Sequence, residues 1–251
     1  MRKVSIMEYH LGICSTYDHR VIGEKDIYIF ESHNMALPVW GVVSNELGAG
    51  LHLVTFDSHT DTRNPFSRFM SRNGCPIRRD YMLNPYVHKY LANCHYRRND
   101  FNFEDAWRIS TSEIANDEHI QTAFDWGYLE SYTVICSLDN EEAKCFQDED
   151  IAIGLPACYI SRDSWLLESS YTIAHLAHKP IALDFDLDYF RCQNDANDEF
   201  WSSIAPLVKQ SSVITVAREP MYFNNVNAEP CFTNQIALDT LLNSIRKIMK
   251  T

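Results

Sequence analysis

The chain has 8 cysteines but no Cys-x-x-Cys pair, so neither a zinc ribbon nor a thioredoxin-type motif is supported, and the thiols read as reduced core residues. No run approaches the roughly 18 apolar residues of a membrane span. Met1-Arg-Lys-Val-Ser5 carries no apolar stretch of the kind a secretory signal needs, so the expected location is the cytoplasm, away from membranes. Glycine and proline are sparse and scattered, at 8 and 9 residues, so no linker or low-complexity segment divides residues 1–251, and one domain is expected. Basic residues are outnumbered, 22 against 34, and the formal net charge of −12 argues against a nucleic-acid partner and favours cationic substrates. The basic patch His95-Tyr-Arg97-Arg98 and the acidic stretch Glu141 to Asp150 read as solvated surface.

What the chain does contain is a set of short apolar runs: Ile27 to Phe30, His52 to Phe56, Thr133 to Cys136, Ile181 to Phe185 and Val213 to Ala217. Long helix-capable stretches separate them, the pattern of a mainly parallel α/β sheet. A content of 45% hydrophobic residues is enough to bury a full core. Near the C-terminus, Leu238, Leu241, Leu242, Ile245, Ile248 and Met249 fall at the spacing of an apolar helix stripe between about residues 234 and 250, which reads as core packing.

Two acidic clusters end two of these runs. Asp57-Ser-His59-Thr-Asp61 follows Leu51 to Phe56, and Asp184-Phe-Asp186-Leu-Asp188 follows Ile181 to Leu183. Extended backbone sends alternate side chains to one face, so Asp57, His59 and Asp61 are expected to converge just beyond the strand's carboxyl end, where open α/β sheets hold ligands. Burying so much negative charge costs several kcal/mol per ion unless it is compensated, and a divalent cation compensates it most simply. Oxygen and imidazole donors without thiolate suit manganese or iron better than structural zinc.

These residues carry a resemblance to the arginase, or ureohydrolase, superfamily. Asp57-Ser-His-Thr-Asp61 is similar to that family's Asp-Ala-His-x-Asp element, and Phe185-Asp-Leu-Asp188 to its Ser-Phe-Asp-x-Asp element, with Asp184 where the family usually has serine. Asp186 and Asp188 are then the expected ligands, and Asp184 with Asp186 the competing register. Glu31-Ser-His33-Asn34 resembles the Gly-Gly-Asp-His turn, which makes His33 a terminal ligand. Glu219, in Arg218-Glu219-Pro220, falls at the carboxylate that grips a substrate guanidinium. Two features depart from the pattern. Arg63 stands where the family has an asparagine that holds a free amino acid's carboxylate, and Cys75-Pro76 where a shuttle histidine is expected; His88, His95 and His119 follow later. Glu-Ser-His-Asn-x-Ala-Leu-x-x-Trp40 and Leu-Asp-Phe-Asp-Leu-Asp-Tyr-Phe190 look closest to a branch that includes peptide arginases.

The resemblance implies a three-layer, mainly parallel sheet with helices on both faces, and two Mn2+ ions sharing an activated water. Asp57 and Asp186 would bridge the ions; His33 and Asp61 would complete one shell, His59 and Asp188 the other. Glu219 would orient the guanidinium, and Asp61 would help pass a proton to the leaving amine. The expected reaction converts arginine side chains of a ribosomal peptide to ornithine with release of urea. A hydrolase of a free guanidine such as arginine or agmatine, and a non-catalytic metal-binding relative, are the alternatives. The adjacent His-His pair of the related deacetylases is absent. Related folds assemble as trimers or hexamers, which leaves a homo-oligomer open.

Overall fold

The computed structural model describes residues 17–136, 157–176 and 178–251. The N-terminal residues and the acidic stretch 141–150 lie outside them. Backbone contacts divide the described chain into two compact units that alternate along the sequence: residues 17–33, 51–60 and 130–251 in one, residues 34–50 and 61–129 in the other.

The first unit holds a seven-stranded sheet, built from β1 (Tyr17–Ile22), β2 (Lys25–Phe30), β3 (Leu51–Asp57), β6 (Leu129–Cys136), β7 (Ala157–Ser161), β8 (Ile181–Asp186) and β9 (Val213–Ala217). The strand order is β1-β2-β9-β8-β3-β6-β7. β1 is antiparallel to β2, while the β2–β9, β9–β8, β8–β3 and β6–β7 pairs are parallel. This is the mainly parallel α/β sheet expected from the apolar runs, and β3, β8 and β9 are buried along their whole length, as central parallel strands should be. The period of two still sorts their faces. Val54, Phe56, Leu183, Phe185, Ile214 and Val216 enter one hydrophobic core with α6 (Arg162–Leu176), α7 (Asp198–Gln210) and α9 (Asn234–Ile248). Phe56 and Phe185, opposite one another in register, stack at 5.2 Å between ring centroids. The alternate positions Thr55, Asp57, Asp184, Asp186 and Thr215 therefore project to the other face.

Helix ends follow their local sequence. Asn197 caps α7 by accepting from the Phe200 N–H at 2.9 Å, and Thr233 caps α9 through the Ile236 N–H at 3.3 Å. The apolar stripe of α9 is buried at Leu238, Leu241, Leu242, Ile245 and Ile248, the packing role read from its spacing.

The second unit is mostly helical, with α1 (Ala36–Leu47), α2 (Ser67–Arg72), α3 (Pro85–Leu91), α4 (Phe103–Ser112), α5 (His119–Asp125) and the small hairpin β4 (Tyr96–Arg97) and β5 (Asp100–Phe101). Gly41 lies on the buried side of α1, where a Cβ would come within 2.8 Å of the Tyr128 ring and also strike Phe101, so this helix position admits no larger residue without displacement. Among the described residues, no helix is long and apolar enough to cross a membrane.

Candidate metal centre

Strands β3 and β8 stop at Asp57 and Asp186, and the chain makes the same turn after each. Asp57 Oδ1 accepts from the His59 N–H at 2.7 Å, and Asp186 Oδ1 accepts from the Asp188 N–H at 3.2 Å. These are Asx turns, in which an aspartate ends its own strand and swings the residue two positions on back toward itself. Convergence of Asp57 with His59, and of Asp186 with Asp188, thus comes from the turn. Extended-strand alternation, the reason drawn from sequence, does not operate there because both strands have already ended. Ser58 joins the two turns: its Oγ donates to the Asp188 carbonyl at 2.9 Å and its N–H to Asp188 Oδ1 at 3.3 Å.

With each Oδ1 occupied by its turn, the second oxygens point to shared neighbours. Asp57 Oδ2 and Asp186 Oδ2 lie 3.5 and 3.4 Å from His33 Nδ1. Asp188 Oδ2 lies 3.2 Å from His59 Nδ1. Candidate ligand atoms of His33, Asp57 and Asp186 all fall within 4.8 Å of one another, as do those of Asp57, His59 and Asp188. Asp57 is common to both groups. The donor set is carboxylate and imidazole throughout, which fits hard-to-borderline divalent ions.

Electrostatics point the same way. Asp57, Asp184, Asp186, Asp188 and Glu219 are all buried. Burial, followed by the neighbouring Asp188 charge, pushes the Asp186 carboxyl up to about 8, against the lowering effect of His33. Hydrogen bonds to Asp188 and then Asp57 raise the His59 imidazole to about 11, although half of its side chain is exposed. One carboxylate resists ionising and one imidazole resists losing its proton. The first is due mainly to burial and then to the Asp188 charge, and the second to the carboxylates beside the ring; a cation would offset the charge in both cases.

The competing aspartate is placed differently. Asp184 accepts from Thr215 Oγ1 at 2.5 Å and from Thr55 Oγ1 at 2.8 Å, and its Oδ2 lies 2.7 Å from His33 Nε2. It faces the far side of the His33 ring from Asp57 and Asp186.

Glu219 follows β9 as the residue before α8 (Pro220–Val226), in a left-handed conformation with φ 38°. A non-glycine residue held there costs on the order of 1–3 kcal/mol. Its N–H donates to the Glu31 carbonyl at 3.2 Å, and its Oε1 accepts from the His33 N–H at 2.9 Å. The carboxylate is thereby anchored beside His33, and the residue is 7% exposed. Tyr222, on α8, approaches the His59 ring edge-on at 6.1 Å.

Of the residues singled out from sequence, this unit brings together His33, Asp57, His59, Asp186, Asp188 and Glu219. Asp61 belongs to the other unit, at a positive φ of 49°, and its Oδ2 is 3.8 Å from His119 Nδ1. Among the three later histidines His119 is fully buried, accompanied by Trp40 at 5.4 Å, whereas His95 is exposed and paired with Asp100. Nothing in its local sequence separates His119 from the others; only the fold puts it beside Asp61. Arg63, in the same unit, pairs with Asp117 at 2.8 Å at the edge of a cleft of about 390 Å³ that Arg68 and Glu118 also line.

Residues 32–153 match the model of the arginase family. No curated protein matches the chain. An arginase from Medicago truncatula is similar in structure, with a TM-score of 0.44 and 12% identity over 88% of this chain, which spans 58% of that protein's length. The segment that matches the arginase family is the one that holds His33, Asp57, His59 and Asp61, and over that segment the chain is similar to this family.

Proposed function

We propose that this chain is a dinuclear, manganese-dependent hydrolase of guanidino groups, and that its substrate is an arginine side chain within a peptide, converted to ornithine with release of urea. The observation that carries the reading is the convergence of Asp57 Oδ2 and Asp186 Oδ2 on His33 Nδ1, beside a second group in which Asp57 recurs with His59 and Asp188. A shared carboxylate between two donor groups is what a pair of ions requires. Two such ions would supply a strong nucleophile from water at neutral pH, which a resonance-stabilised guanidinium needs.

The remaining roles belong to the protein. His33, Asp57 and Asp186 would hold one ion, and Asp57, His59 and Asp188 the other. Glu219, fixed by the His33 N–H, would pair with the cationic guanidinium by charge-assisted hydrogen bonds and orient its carbon. The half-exposed side of His59, with Tyr222 beside it, leaves this group open to solvent on that side. Peptide arginine is favoured over free arginine by Arg63. It stands where the related pattern has an asparagine for a free carboxylate, and its charge is already neutralised by Asp117 at 2.8 Å.

The test is urea release and substrate mass change by the manganese-loaded protein, comparing free arginine with an internal arginine in a peptide, against a metal-stripped control. Conversion of the peptide alone supports the proposal. Conversion of free arginine alone moves the function to small-molecule metabolism, and manganese uptake without urea from any guanidine tested favours a binding role.

A further inference from the structure

We propose that Asp184 is a positioning residue that acts through His33: it fixes the imidazole tautomer and thereby sets the affinity of the ion that His33 holds. This rests on the metal-site reading above.

Asp184 is fully buried in β8, between β3 and β9. Its register partners on the two flanking strands are Thr55 and Thr215, so three adjacent strands present a Thr-Asp-Thr row across the centre of the sheet. Both hydroxyls donate to the carboxylate, Thr215 to Oδ1 and Thr55 to Oδ2. A carboxylate held this way accepts and does not donate. Its remaining contact, His33 Nε2 at 2.7 Å, must therefore carry the proton on the nitrogen. When the ring is neutral, as a metal donor must be, its lone pair is then on Nδ1, the atom that lies 3.4 and 3.5 Å from Asp186 and Asp57.

A carboxylate behind a metal-binding histidine orients the ring, fixes the tautomer and raises the basicity of the donor nitrogen. Serine, which the related pattern has at this place, supplies no charge for the last of these. The three alternate aspartates of β8 thus divide their work. Asp186 and Asp188 face the donor groups directly, and Asp184 faces them through an imidazole.

The experiment is a competition titration of Mn2+ against a fluorescent chelator on the full chain, for wild type, Asp184→Asn and Thr215→Val. Melting curves are recorded in parallel to establish that each variant is folded. Asp184→Asn is expected to weaken one of the two sites about 10- to 100-fold, and to leave the site that uses His59 unchanged. Thr215→Val keeps the Asp184–His33 bond and is expected to lose only a few-fold at the same site. In 15N-histidine spectra of the metal-free protein, His33 should show the Nε2–H tautomer in wild type and lose that preference in Asp184→Asn. Unchanged affinity at both sites, equal loss at both, or an unaltered tautomer overturns the role of Asp184 and leaves the metal reading standing. Should Asp184→Asn fail to fold, Thr215→Val decides, since an unchanged site there equally overturns it. Wild-type protein that takes up no manganese overturns the metal reading itself.

Discussion

Asp186→Asn should make the metal-free protein more stable and the metal-loaded protein less so. In the folded chain the Asp186 carboxyl is held at about 8 against an ordinary 3.8, first by burial and then by Asp188. Between those values the folded state binds a proton that the unfolded state has released. Stability contributed by this group is therefore present below pH 3.8, falls as pH rises through the window, and levels off above 8. At about 1.36 kcal/mol per pH unit, the loss accumulated by pH 7 is on the order of 4 kcal/mol. Asparagine has nearly the same shape, keeps an oxygen for the Asp188 N–H at 3.2 Å and is neutral in both states. Removing a deficit of about 4 kcal/mol would raise the melting temperature by about 8–16 °C at this chain length. The assay is calorimetry of EDTA-treated wild type and variant at pH 4 and pH 7. With manganese at a hundred times its dissociation constant, wild type should gain about 2.7 kcal/mol per site, and the variant should lose most of that gain. A metal-free variant no more stable than wild type at pH 7, or equally stabilised at pH 4, would refute the reasoning.

Two further substitutions separate the roles of other residues. Glu219→Gln keeps an oxygen for the His33 N–H but removes the negative charge that the proposed reaction would offer to a guanidinium, at a cost of about 2–5 kcal/mol, or thirty-fold and more in kcat/KM. Manganese stoichiometry by elemental analysis should stay at the wild-type value, and a parallel loss of metal would assign Glu219 to the ion instead. Gly41→Ala should destabilise the protein by about 1–3 kcal/mol, read in denaturant melts, because the added Cβ meets the rings of Tyr128 and Phe101. An unchanged midpoint would mean that the two rings can yield.

The central strands were legible because each is buried on both faces and so reads as a mainly apolar run, closed by acid in β3 and β8. β1 was not, since Tyr17-Asp-His-Arg-Val-Ile22 is an edge strand, mostly half-exposed, that balances polar and apolar residues and takes its structure from pairing with β2. β7 is likewise short and paired on one side only. Within the second acidic cluster, three aspartates at alternate positions are equivalent in one dimension. What distinguishes Asp184 is a pair of threonines 129 and 31 residues away, brought level with it by strand register. The same limit explains His119, whose nearness to Asp61 depends on the fold of its unit and not on any local motif.

The order of strands has a consequence for synthesis. β2 and β3 are neighbours in sequence, yet β9 and β8, made more than a hundred residues later, lie between them in the sheet. A nascent chain that has not yet emitted residue 181 holds Asp57 and His59 at the end of a strand with no β8 beside it, and its β1–β2 hairpin is attached to nothing else in the sheet. Such non-local closure slows folding and lengthens the exposure of unpaired strand edges. Ribosome-stalled chains released before β8 should therefore be the protease-sensitive and aggregation-prone species, and competence to take up metal should arise only after β8 and its turn have emerged.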